Sequence, residues 1–161
     1  MPAAAAAELI RRLALQPHPE GGWYREIHRS RQSVSTPAGA RSAGTHIYYL
    51  LERGQASRWH VVDADEAWHF YDGAPLQLHL YDPASGGSEA RLLAAPGPDR
   101  EPAAVVPAAV WQAARTLGDF SLVGCSVAPG FEFSGFRFVA DLPDHARHFS
   151  APSLQPLRDL L

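Results

Sequence analysis

The densest concentration of titratable and aromatic side chains in the sequence is Ser57-Arg-Trp-His-Val-Val-Asp-Ala-Asp-Glu-Ala-Trp-His-Phe-Tyr-Asp-Gly73. It carries His60, Glu66 and His69 among Trp59, Trp68, Phe70 and Tyr71. An imidazole beside a carboxylate suits two chemistries, proton transfer near neutral pH and ligation of a first-row metal. A carboxyl group walled by aromatics has its pKa raised by desolvation unless an imidazolium pairs with it. Glu66 and His60 together are therefore candidates to trade a proton with a bound molecule.

Such groups act together only if the chain brings them to one place. Residues 56–62 and 67–71 read as strands, with 63–65 as the connection. His60 and Val62 then share one face of the first strand. Glu66, Trp68 and Phe70 share a face of the second, with His69 and Tyr71 pointing the other way. His60 and Glu66 are expected to meet across this hairpin, inside a barrel. The other histidines, His18, His28, His46, His79, His145 and His148, have no partner spacing that argues for a site.

The rest of the chain supplies the walls of such a barrel. In residues 76–81, Leu76, Leu78 and Leu80 alternate with Gln77, His79 and Tyr81 as in a half-buried strand. Further strands are expected over 23–29, 46–51, 103–106, 111–115, 120–127 and 135–139. Turn residues stand between them at Asp72-Gly73, 83–87, 96–98, Gly118-Asp119 and Pro129-Gly130. Many short strands with no helical run among them imply an all-β sandwich or barrel. A helix is expected over 3–15, with Leu9, Ile10 and Leu13 on one stripe, and a short one over 152–161. With no internal repeat and no linker, 1–161 reads as a single domain: a core over about 17–141, and a tail over 142–161.

Composition removes several alternatives. All 14 cationic residues are arginines; the chain has no lysine and no asparagine. Without lysine there is no Schiff-base amine and no Gly-Lys-Ser/Thr phosphate loop, which excludes Schiff-base aldolases, pyridoxal-phosphate enzymes, P-loop nucleotidases and kinases. The single cysteine, Cys125, excludes an internal disulfide and a multi-thiolate zinc site, and its apolar surroundings suggest a buried structural thiol. A formal net charge of -3 with scattered arginines leaves no footprint for nucleic acid. No apolar run is long enough to span a membrane, and the alanine-rich start lacks the basic residues of a secretory signal, so a cytoplasmic location is expected.

Gly54, His60, Glu66 and Gly73 follow the first cupin motif, Gly-x5-His-x-His-x3-Glu-x6-Gly, except that Val62 stands at its second histidine. Val106-Pro-Ala-Ala-Val-Trp-Gln112 resembles the second motif, Pro-x-Gly-x2-His, with Ala109 for the glycine and Gln112 for the histidine. Pro17-His-Pro-Glu-Gly-Gly-Trp-Tyr-Arg-Glu26, Thr45-His-Ile-Tyr-Tyr-Leu-Leu51, Asp65-Glu-Ala-Trp-His-Phe-Tyr-Asp-Gly73, Trp111-Gln112 and Val127-Ala-Pro-Gly-Phe-Glu-Phe133 are similar to the cupin_5 family, described as predicted sugar epimerases.

The resemblance implies a double-stranded β-helix, the cupin jelly roll, with a small-molecule pocket in the barrel mouth. A metal, if bound, would fall to His60, Glu66 and Gln112, and the amide oxygen is a poor substitute for imidazole, so no cofactor is expected. Metal-free cupin epimerases take a proton beside a sugar carbonyl with a histidine and return one with a tyrosine. His60 is the expected base, Glu66 its partner, and Tyr48, Tyr49 or Tyr71 the acid, Tyr71 being the choice within the motif. Trp68, Trp111, Phe131 and Phe133 would be stacking walls for a sugar ring or nucleobase, with His69 beside them. Arg25 could clamp a carboxylate or phosphate, and Arg58 is the other cation near the pocket in sequence. A non-catalytic metabolite-binding module is the alternative function. A homodimer is also implied; sedimentation as a 17.5 kDa monomer at micromolar concentration would contradict it.

Overall fold

The computed structural model describes residues 2–161, with side chains placed from residue 5 onward. In chain order the elements are α1 (Pro2–Arg12), β1 (Gln16–Pro17), β2 (Trp23–Arg29), β3 (Ser33–Thr36), β4 (Gly39–Ser42), β5 (Thr45–Glu52), β6 (Ala56–Val62) and β7 (Asp65–Gly73). They continue as β8 (Leu76–Tyr81), β9 (Ser88–Leu93), β10 (Ala103–Val106), β11 (Trp111–Thr116), β12 (Phe120–Ala128), β13 (Phe136–Phe138) and α2 (His145–His148), with a final 3-10 turn over Gln155–Leu160.

The strands form the two antiparallel sheets of an all-β jelly roll. One has the order β1-β2-β5-β12-β7-β10, the other β13-β6-β11-β8-β9, and β3 and β4 make a separate hairpin. The apolar faces meet between the sheets, where Tyr49, Leu51, Trp68, Leu76, Leu78, Leu93, Val106 and Val123 make the core. Alternation along β8 and β11 sends Leu78, Leu80, Gln112 and Ala114 inward and Tyr81, Trp111 and Ala113 outward.

Both outer faces acquire covers. Ala6, Leu9, Ile10 and Leu13 of the first segment lie on Trp23, Leu50 and Leu122 of the six-stranded sheet. The helix is shorter than the expected 3–15 because Ala14 takes a left-handed φ of 51° and turns the chain. Phe149, Leu154 and Leu160 of the C-terminal segment cover Trp59, Tyr81 and Trp111 on the five-stranded sheet. That cover buries His79 and Tyr81, so β8 is closed on both faces rather than half-buried. The helix expected over 152–161 is instead a 3-10 turn over Gln155–Leu160, preceded by α2. Among the described residues no helix is long and apolar enough to cross a membrane.

The largest departure from the expected arrangement concerns β6 and β7. They do not pair as a hairpin: β7 lies between β12 and β10 in one sheet, and β6 between β13 and β11 in the other. The connection at residues 63–64 is a crossover between sheets. His60 and Glu66 therefore face each other across the barrel interior.

Candidate functional site

Between the sheets lies a cavity of about 250 Å³. His60, Glu20, Glu66 and Cys125 line its buried end, and Tyr24, Phe131, Phe133 and Phe136 its wider part. Its inner geometry depends on an irregularity in β6. Gln112 pairs with His60 but Ala114 with Ser57, so β6 carries an extra residue at this point. Ser57 and His60 consequently both face inward although three positions apart, and Trp59 packs outward. Strict alternation would have sent Arg58 inward with His60; the bulge instead leaves it exposed at the rim, its guanidinium 4.3 Å from the Phe138 ring centroid.

Glu20 is the partner that His60 meets first. Its Oε2 lies 3.3 Å from His60 Nε2, and its Oε1 accepts a hydrogen bond of 2.9 Å from Ser57 Oγ. Both residues are almost fully buried, at 6% and 2% exposure. His60 Nδ1–H donates to the Arg58 carbonyl at 2.7 Å. With that nitrogen committed as a donor, Nε2 is the ring's acceptor, and a proton taken there would be shared with Glu20 Oε2. His18 stands next to this pair: its Nδ1 accepts the Glu20 backbone N–H at 3.1 Å, leaving Nε2 to carry the ring proton. Burial depresses the His18 pKa, and the Glu20 charge only partly offsets this.

Glu66 faces the same space from the opposite sheet. Burial pushes its pKa up to about 7, with the Glu20 charge adding to the rise and His60 and the Gln112 hydrogen bond opposing it. Trp68 Nε1–H donates to Gln112 Oε1 at 2.8 Å, and Gln112 Nε2–H donates to Glu66 Oε2 at 2.7 Å. An indole N–H can only donate, so Trp68 fixes the orientation of the amide and turns its nitrogen toward Glu66.

The same relay decides how a metal would fare. Gln112 was the third expected ligand, but its oxygen is committed to Trp68 and its nitrogen has no donor pair to offer. Val62, at the second histidine position of the motif, contributes only methyl groups to the cavity wall. Among the described residues no three His, Cys, Asp or Glu side chains are grouped so as to hold a metal ion. The residues present do not fit a cupin metal centre.

The structure divides the sequence-predicted residues into two sets. His60, Glu66, Phe131 and Phe133 line the cavity. Trp68 and Gln112 are buried behind Glu66 and act on it through hydrogen bonds rather than on a ligand. Trp111 lies on the outer face of its sheet against Phe149, because neighbours on one strand cannot both point inward and Gln112 does.

Tyr48, Tyr71 and His69 fall on the outer face of the six-stranded sheet for the same reason, since Tyr49, Phe70 and Trp68 face the core. There Tyr71, 45% exposed, shares a hydrogen bond of 2.9 Å with His46 Nε2, and Ser126 lies between His46 and His69. Tyr71 is therefore not placed to act on a molecule in the barrel. Arg25 carries its guanidinium over the Tyr48 ring, at 5.8 Å from the centroid. Tyr49 is buried and donates to the Gly21 carbonyl at 2.6 Å, so none of Tyr48, Tyr49 and Tyr71 offers its hydroxyl to the cavity.

Glu20 and His18 were missed. Their only signal was the segment Pro17-His-Pro-Glu-Gly-Gly22, whose glycines suggest a tight turn without saying what it rests on.

Comparison with known proteins agrees with this architecture. The family model described as "Cupin_5: Cupin superfamily (DUF985)" matches residues 7–139. The chain is similar to a hypothetical protein from Leishmania major, with 31% identity, 93% of this chain and 97% of that one covered, and a TM-score of 0.81. It is similar as well to a protein from Shewanella oneidensis, with 33% identity, 93% and 94% covered, and a TM-score of 0.79. Oxalate decarboxylase from Bacillus subtilis shares the fold, at 15% identity and a TM-score of 0.60 over 90% of this chain and 36% of that one. No curated protein matches the chain.

Proposed function

We propose that this chain, which belongs to the Cupin_5 family of the cupin superfamily, is a metal-independent isomerase or epimerase that moves a proton on a small, sugar-like molecule held in the barrel. The observation that carries this reading is one imidazole set between two buried carboxylates, Glu20 and Glu66, at the closed end of a cavity. The Glu20–His60 pair is the base, taking a proton from the carbon beside a carbonyl. The electron pair of that C–H bond moves onto the carbonyl oxygen, where protonated Glu66 supplies a proton to give the enol. Reversal, with the proton returned to either face or to the neighbouring carbon, completes epimerisation or isomerisation. A carboxyl group with a pKa of about 7 can serve as the acid near neutral pH. Carboxylates and aromatic rings are also the groups that hold polyols, and Phe131 and Phe136 provide ring faces.

In deuterated water with a panel of small aldoses and ketoses, the wild-type protein is expected to catalyse exchange at the carbon beside the carbonyl. His60→Ala should lower that rate by about 100-fold or more, while ligand binding, followed by calorimetry, is largely retained. If the wild type binds a panel member but never exchanges a proton, the chain is a metabolite-binding module instead.

A further inference from the structure

The charges around the cavity are unbalanced in a way that says what a ligand should carry. Four carboxylates line it, Glu20, Glu26, Glu66 and Glu132. The chain has no lysine, so only arginine or imidazole can offset them. Arg29 is fully engaged at the rim. Its Nε and Nη2 donate to the two oxygens of Glu26 at 3.0 and 2.9 Å, Nη1 to Glu132 at 3.0 Å, and Nη2 also to the Phe131 carbonyl at 2.9 Å. One guanidinium thus serves two carboxylates. Arg25 touches the cavity wall, but its guanidinium rests over Tyr48 on the other face of the sheet. At the buried end His60 is the single basic group between Glu20 and Glu66, and burial lowers the pKa of His18. Anions meet no free cation here, and aromatic faces present further negative potential.

We propose that this cavity also takes a small organic amine, bound as its ammonium cation beside Glu20 and Glu66 with its carbon body against Tyr24, Phe131 and Phe136. This goes beyond the isomerase reading, rests on it only in taking the cavity as a ligand site, and does not require turnover. The ammonium supplies the positive charge that the wall lacks, in a space where low dielectric strengthens the attraction. It favours ionised Glu66, so binding expels the proton that the exchange reaction draws on; the amine is therefore an occupant that blocks exchange, not its substrate. The groups facing Glu66 are His60 from β6, Glu20 from the loop after β1, Gln112 from β11 and Cys125 from β12, and none of them is a fixed cation.

Three probes of one shape and three charges test this: benzylamine, benzyl alcohol and benzoate, titrated into the full chain by calorimetry. At pH 8 benzylamine should bind at least about 10-fold more tightly than benzyl alcohol, and benzoate more weakly than both. The amine preference should shrink at pH 6, where Glu66 is protonated. Glu20→Gln with Glu66→Gln should reduce it to near unity, with circular dichroism checking that the variant is folded. The wild-type ranking and its pH dependence stand even if that variant does not fold. Equal binding of amine and alcohol, or a preference for benzoate, overturns the assignment. That result leaves the proton-exchange test untouched. Conversely, an amine preference without any exchange retires the isomerase reading alone.

Discussion

Gly21→Ala is expected to destabilise the protein by about 3–5 kcal/mol, more than most single-methyl additions, and to pull Glu20 away from His60. Gly21 has a φ of 112°, in a region that residues with a Cβ avoid. The space is closed as well: an added Cβ would be driven into the carbonyl oxygen of Ala56, part of the β6 backbone. Backbone cannot give way as a flexible side chain can, so the turn must move. The turn is held by His18 N–H to the Gly22 carbonyl at 2.9 Å, Gly21 N–H to the His18 carbonyl at 3.0 Å, Arg58 N–H to the Glu20 carbonyl at 3.1 Å and the Tyr49 hydroxyl on the Gly21 carbonyl. Shifting it strains or breaks several of these at once and leaves buried partners unsatisfied. Urea unfolding measures the loss, and the melting temperature should fall by about 10 °C for a chain of this length. A variant within about 1 kcal/mol of wild type would show that the turn does not rest on β6 as described.

That turn also explains which parts of the site were legible in the sequence. The expected bounds of β2, β6, β8 and β10 match the observed ones, and in β8 the alternation of Leu76, Leu78 and Leu80 gives the reason, since that apolar face must be buried somewhere. The serine-, glycine- and alanine-rich β3 and β4 and the exposed β9 carry no such pattern and were not expected. His60 and Glu66 were readable as inward residues, but their partnership was not. Strand pairing is a long-range property, and a three-residue connection between two strands suits either a hairpin or a crossover between sheets. Alternation, applied throughout, would have removed Tyr71, Tyr48, His69 and Trp111 from the pocket, because each is adjacent in sequence to a residue that faces the core. It would have misplaced Arg58, which only the β6 bulge turns away. Glu20 is inward because a loop folds against another strand, and nothing local to residues 17–22 specifies that.

Glu66→Gln should make the protein more stable than wild type above neutral pH, by about 2–3 kcal/mol at pH 8, and nearly equal to it at pH 5. Glu66 titrates at about 7 in the folded chain against an ordinary value of 4.5. Between those limits the native state keeps a proton that the unfolded state has released, so stability falls as pH rises through the window. Glu66 weakens the fold least below pH 4.5 and most above pH 7, where the accumulated cost is about 3 kcal/mol. Glutamine preserves the shape and still accepts the Gln112 N–H, but has no proton to lose. His18, His46 and His79 act in the opposite sense: burial lowers each pKa, so their contribution is lost as pH falls through 6.5 and below. These opposing slopes obscure one another in the wild-type profile, whereas the difference between wild type and Glu66→Gln isolates position 66. Urea midpoints from pH 5 to 8 provide it. A difference that stays flat across this range would mean that Glu66 is ionised throughout, and it could then no longer serve as the acid in proton transfer.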